Sequence, residues 1–182
     1  MTEPESRHRV FFALWPDDAL RVRLAALARS LNANGRPVPP AHLHLTLAFP
    51  GTVGAPVLGA LIAQGDAVRA PRCKLVLDRL GYFPRPKVAW LGSSGPVPLL
   101  EDLAARLRWA CEVCGVKMED RPFRPHVTLR RFVTRFEPGP VEPVEWSARE
   151  MVLIESGQAG QPGPYRVLRS WPLGSDPGEV IF

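Results

Sequence analysis

Two four-residue stretches, His44-Leu45-Thr46-Leu47 and His126-Val127-Thr128-Leu129, repeat one order of imidazole, apolar, hydroxyl, apolar. In a strand, side chains alternate between faces, so each His shares a face with its Thr while the aliphatic residues point the other way. One face of each strand then suits an apolar core and the other offers an imidazole and a hydroxyl to a cleft. Two such strands side by side assemble two proton-transfer groups and two hydroxyl donors in one volume, the parts needed for acid–base catalysis. A single His-x-Thr carries little weight, since structural histidines and strand threonines are common. The chain has only four histidines, however, and two of them fall in the same frame.

The elements that must hold these stretches read as follows. Residues 9–15 form a strand of β-branched and aromatic residues. Pro16-Asp17-Asp18 open a helix over residues 17–32, with Leu20, Leu24, Leu27 and Leu31 at helical spacing. Turn chemistry over residues 32–40 leads into the first motif strand, residues 42–49, after which Pro50 to Gly54 turn the chain into a helix over residues 55–70. Strands over 73–78 and 86–92 flank an aromatic turn, Gly81 to Pro86, and a third helix covers 99–113. The second motif strand spans 123–133 and enters through Pro125, a position that tolerates proline. A proline-glycine loop over 137–143, a strand over 150–155, a flexible 156–163, a strand over 165–173 and a loose tail over 174–182 complete the chain. Without steady βαβ alternation, this order predicts an α+β fold: two antiparallel sheets around a central cleft, helices outside, in two similar lobes of one domain over residues 1–173.

At 182 residues and 46% apolar content the chain can bury a core without staples, and no apolar run is long enough to span a bilayer. The polar lead-in of residues 1–7 carries no secretory signal, so the expected compartment is the cytoplasm. A net charge of +5 suits a polyanionic ligand such as RNA without demanding one. Cys111 and Cys114, the one close pair among three cysteines, lack the second His or Cys pair of a zinc site and read as small buried residues. A rival reading places His42, His44 and His126 together on zinc.

With these flanks, the paired motifs resemble the 2H phosphoesterase superfamily, and within it the bacterial and archaeal RNA 2′,3′-cyclic phosphodiesterases, also called 2′-5′ RNA ligases. The likeness takes in Val10 to Leu14 with Pro16, Leu43 to Phe49 with Gly51, Arg124 to Leu129, and Tyr165 with Trp171-Pro172-Leu173. It departs at His42, where an asparagine is common, and at Pro50, where an aliphatic residue is usual. The resemblance implies metal-free hydrolysis of 2′,3′-cyclic phosphate at RNA ends to a 2′-phosphomonoester; a monomer with no cofactor and no membrane partner is expected. By it His44 is the proton donor and His126 the acceptor. Thr46 and Thr128 then suit donation to the non-bridging oxygens. The family tends to place an arginine where Arg131 stands, whereas strict alternation from His126 puts Arg130 on the cleft face; a bulge or strand end would reconcile them. Phe11, Phe12, Tyr82 and Phe83 are candidates for base stacking, although alternation sends one of the first two to the core. The same transfers run backward would ligate RNA 2′-5′, and a nucleotide-binding module without turnover is the remaining alternative.

Overall fold

A computed structural model describes residues 6–158 and 161–174. It is α+β, with three helices and two antiparallel sheets. The early apolar run forms β1 (Arg7–Leu14). Helix α1 (Asp18–Ser30) follows at once, its start fixed by Asp17, whose carboxylate accepts from Leu20 N at 2.8 Å; such a cap stabilises a helix by about 1 kcal/mol. Leu20, Leu24 and Ala28 turn inward as their spacing requires. The chain then runs through β2 (Arg36–Pro37), a 3-10 turn (Pro40–His42) and β3 (Leu45–Gly54). Next come α2 (Ala55–Ala67), β4 (Cys73–Leu77), β5 (Arg79–Phe83), β6 (Val88–Gly92) and α3 (Pro98–Val113). The last strands are β7 (His126–Arg131), β8 (Val144–Ala148), β9 (Glu150–Gln158) and β10 (Gln161–Pro172).

Eight strands form the larger sheet in the order β10-β9-β1-β3-β7-β6-β5, with β2 added alongside β7; β4 and β8 form the small sheet. The two motif strands, β3 and β7, are neighbours at its middle, joined among the described residues by one registered pair, Leu45 opposite Val127. The strands on either side of the motifs therefore belong to one shared sheet, with the two motif strands adjacent at its middle. Leu45, Leu47, Val127 and Leu129 lie on the face covered by the helices and the small sheet, in a core that also holds Leu24, Leu61, Leu103, Leu107 and Trp146. The histidine face is left open apart from a smaller cluster of Phe11, Ala13, Val152 and Ile154. No helix among the described residues is long and apolar enough to cross a membrane.

Several elements differ from the sequence expectation. Of the turn expected over Gly81 to Pro86, residues 81–83 belong instead to β5 and the turn itself covers 84–87: Gly81 leaves the space into which the Trp90 indole packs, and a Cβ there would collide with the ring. Replacing Gly81 by alanine is accordingly expected to cost about 1–3 kcal/mol, read as a lower midpoint in urea unfolding at unchanged slope. The first motif strand does not turn at Pro50 but runs on to Gly54, with register shifts against β1 that absorb the proline. His42 lies in the 3-10 turn and not in the strand. Ser156 to Gln158 belong to β9, and Gly174 pairs with Pro71. The remainder of the expected tail, 175–182, lies outside the described residues. All three cysteines are free thiols, Cys73 and Cys111 buried.

Candidate active site

Continuing the register of the Leu45–Val127 pair by one residue in each direction sets Thr128 beside His44 and Thr46 beside His126. The two histidines then occupy a diagonal, with α-carbons about 7–8 Å apart, and the threonines the other. All four side chains are half-buried at the open face.

Each imidazole is oriented by the same local device. His44 Nδ1 donates to the backbone carbonyl of His42 at 2.7 Å, and His126 Nδ1 donates to that of Arg124 at 2.7 Å. With a proton fixed on Nδ1, the neutral ring keeps its lone pair on Nε2, the atom left free to exchange protons. The two differ in one respect: His44 Nε2 lies 3.1 Å from Thr46 Oγ1, whereas His126 Nε2 has no hydrogen-bond partner among the described residues.

Aromatic rings wall both histidines. Phe11 lies 4.7 Å and Trp15 6.4 Å from the His44 ring, and Tyr165 meets it edge-on at 5.6 Å. Tyr165 also stacks on His42 at 4.1 Å. On the other side Phe83 is edge-on to His126 at 5.1 Å and Trp90 stands at 6.1 Å. Burial among these rings pushes His44 down to about 4; the carbonyl of His42 opposes the shift, and the charges of Arg131, His126 and His42 add to it. Burial likewise lowers His126, opposed by the carbonyl of Arg124 and aided by Arg121. Both rings are therefore neutral at pH 7 in the free protein. Because each folded-state value lies below the unfolded one, the folded chain binds fewer protons, and the stability this confers is complete above pH 6.5 and lost as pH falls toward 4. Thermal melts should show that acid-side decline, shallower in His44→Gln.

The arginine conflict is resolved by a bulge. Opposite β6, Trp90 pairs with Thr128 but Ala89 pairs with Arg130, so β7 carries one extra residue and its alternation inverts after Thr128. Arg130 turns to the helix side, where its guanidinium donates to the carbonyls of Ala28, Asn34 and Gly35 at 2.9–3.1 Å. Arg131 comes to the histidine face, and its charge is felt at both His42 and His44. The structure thus corrects Arg130 as a substrate-binding candidate: it is consumed in tying down the loop after α1.

Two aromatic candidates are corrected as well. Phe12 is fully buried, 6.0 Å from Trp171 in the main core, and cannot meet a ligand. Phe11 does lie on the histidine face but is 2% exposed, a support behind His44 and not a stacking surface. Tyr82 is tied through its hydroxyl to the Val133 carbonyl at 2.8 Å. Sequence reasoning missed Trp15, Trp90 and Tyr165. Trp90 reaches the site through its place opposite Thr128, a pairing with a distant strand that the sequence of β6 does not signal. Among the described residues no group of three His, Cys, Asp or Glu side chains stands close enough to hold a metal ion.

Residues 16–158 match the pattern of the 2′-5′ RNA ligase superfamily. An RNA 2′,3′-cyclic phosphodiesterase of Escherichia coli K12 is 34% identical over 95% of this chain and 99% of its own length. The enzyme of that name from Thermus thermophilus is 31% identical over 93% of this chain and 92% of its own. Among solved structures, E. coli LigT complexed with 3′-AMP superposes with a TM-score of 0.82 at 33% identity, covering 92% of this chain and 98% of LigT.

Proposed function

Because the chain belongs to the 2′-5′ RNA ligase superfamily, we propose that it hydrolyses 2′,3′-cyclic phosphate at RNA ends to 2′-phosphomonoesters, without a metal, through His44, His126, Thr46 and Thr128. The single observation that carries this reading is the pair of imidazoles set diagonally across neighbouring strands, each held by the same Nδ1 bond to a main-chain carbonyl so that Nε2 keeps the lone pair.

In the proposed reaction, His126 Nε2 takes a proton from water as its oxygen attacks phosphorus. The bond from phosphorus to the 3′ oxygen breaks on the opposite side, and His44 Nε2 gives that oxygen its proton. Water is consumed, one P–O bond forms and one breaks, and the two histidines return to their starting states through solvent. Thr46, Thr128 and Arg131 supply donors and positive charge to the non-bridging oxygens as charge gathers there. The Thr46 hydroxyl 3.1 Å from His44 Nε2 and a cation within electrostatic reach of His44 support these roles. Because His44 is neutral in the free protein, its acid role requires that the bound phosphate anion bring the proton onto the ring.

The test is to offer purified protein a nucleoside 2′,3′-cyclic phosphate with and without EDTA. The expected product is the 2′-phosphate, at a rate unchanged by chelator. A 3′-phosphate product, or activity lost to EDTA and restored by zinc, overturns the mechanism. The superfamily's ligase name keeps the reverse reaction in view; the same protein offered RNA halves reports joining as a 2′-5′ linked product.

A further inference from the structure

Beyond the histidines, the same open face carries an arrangement that packing alone does not account for. Arg36 on β2 lies directly opposite Arg131 on β7 in antiparallel register. Paired side chains share a face with Cβ atoms about 4.5–5.5 Å apart, and like charges so placed destabilise a sheet. Both arginines are exposed, and among the described residues neither is paired with a carboxylate. The next residue, Phe132, is 66% exposed and sits at φ 58°, a conformation a bulky L-residue rarely adopts. Arg36 lies over its ring at 5.9 Å.

The site is built and not incidental. Gly35, at φ 81°, lets β2 approach so closely that a Cβ there would collide with the Arg131 carbonyl. From the opposite face of β7, Arg130 holds the same loop through Asn34 and Gly35. An exposed aromatic held against its conformational preference, beside two unneutralised guanidinium groups, fits a ligand that supplies both an anion and a flat ring. Strained residues of this kind cluster at functional sites, and aromatic–arginine platforms suit single-stranded nucleic acid.

We propose that Arg36 and Phe132 form a subsite for the nucleotide immediately 5′ of the cyclic end, Arg36 holding its linking phosphate and Phe132 stacking on its base. In a 2′,3′-cyclic end the reacting phosphate is fused to the terminal ribose, so the terminal nucleoside lies at the histidines, within the walls of Phe83, Trp90 and Tyr165. Arg131 faces that phosphate, and its partner Arg36 is placed one step outward to meet the next. This rests on the hydrolase reading for the identity of the strand. It makes the favoured substrate an oligonucleotide and not a free cyclic nucleotide.

The test compares adenosine 2′,3′-cyclic phosphate with a diadenylate ending in the same group, using kcat/KM for the substrates and calorimetric Kd for the 2′-phosphate products. Wild type should favour the dinucleotide by about tenfold in both readouts. Arg36→Gln and Phe132→Asn should each erase most of that preference, and Arg36→Gln should lower the salt slope of dinucleotide binding by about 0.7. Asparagine tolerates the backbone at 132, so its thermal midpoint should hold or rise; a fall marks Phe132 as structural and overturns its role. Equal wild-type affinity for the two products, or a preference that survives both substitutions, overturns the subsite. Turnover of neither substrate with the Kd preference intact overturns the hydrolase reading and leaves the subsite standing.

Discussion

Replacing either His44 or His126 by alanine should lower kcat/KM for a 2′,3′-cyclic-ended oligonucleotide by about 10²–10⁴, the range a positioned proton transfer contributes. The fold should survive both changes, since each ring is half-buried and neither belongs to the main core; far-ultraviolet circular dichroism checks this. The double variant should lose little more than the worse single one, because removing either transfer already disables a concerted step. Wild-type kcat/KM should rise with pH as the base loses its proton and fall as the acid loses its own. His126→Ala should abolish the rising limb and His44→Ala the falling one. Exchange of the two limbs reverses the roles of the histidines, and near-wild-type rates in either variant end the two-histidine reading.

The second large effect concerns how His44 acquires its proton. Its free value of about 4 arises from burial first and from neighbouring positive charge after that. A bound phosphate anion changes the sign of the local field and raises the value. Protonation and anion binding then strengthen one another, and by reciprocity the anion binds more tightly wherever it recruits a proton. In the inactive His126→Ala variant, the Kd of adenosine 2′,3′-cyclic phosphate, a diester with one fixed charge, should weaken by about tenfold per pH unit above pH 4. It should level off once pH passes the His44 value in the complex. Nitrogen-15 shifts of the imidazole should report that higher value directly. A Kd independent of pH from 4 to 8 means His44 takes up no proton on binding, and the acid must be sought elsewhere.

Much of the scaffold was legible because local chemistry and tertiary demand coincide. The Asp17 cap and the leucine spacing after it give α1 nearly to the residue, and the β-branched run gives β1. The shared face of each His and Thr followed from alternation alone. What failed did so where a distant strand decides the outcome. Gly81 reads as a turn residue until the Trp90 ring lying over it is known. Arg130 and Arg131 cannot be separated from β7 by itself, because the extra residue is defined only against Ala89 and Trp90 of β6. Phe11 and Phe12 were known to face opposite ways. That Phe11 would be roofed over by Tyr165 and Phe49 depended on strands far along the chain.

The carbonyls that hold the two rings belong to His42 and Arg124, residues with nothing in common beyond their main chain. Any amino acid at either place presents the same oxygen, so the tautomers are insulated from side-chain drift at the positions that set them. Changing either tautomer requires bending the polypeptide itself, a far rarer accident than exchanging one residue for another.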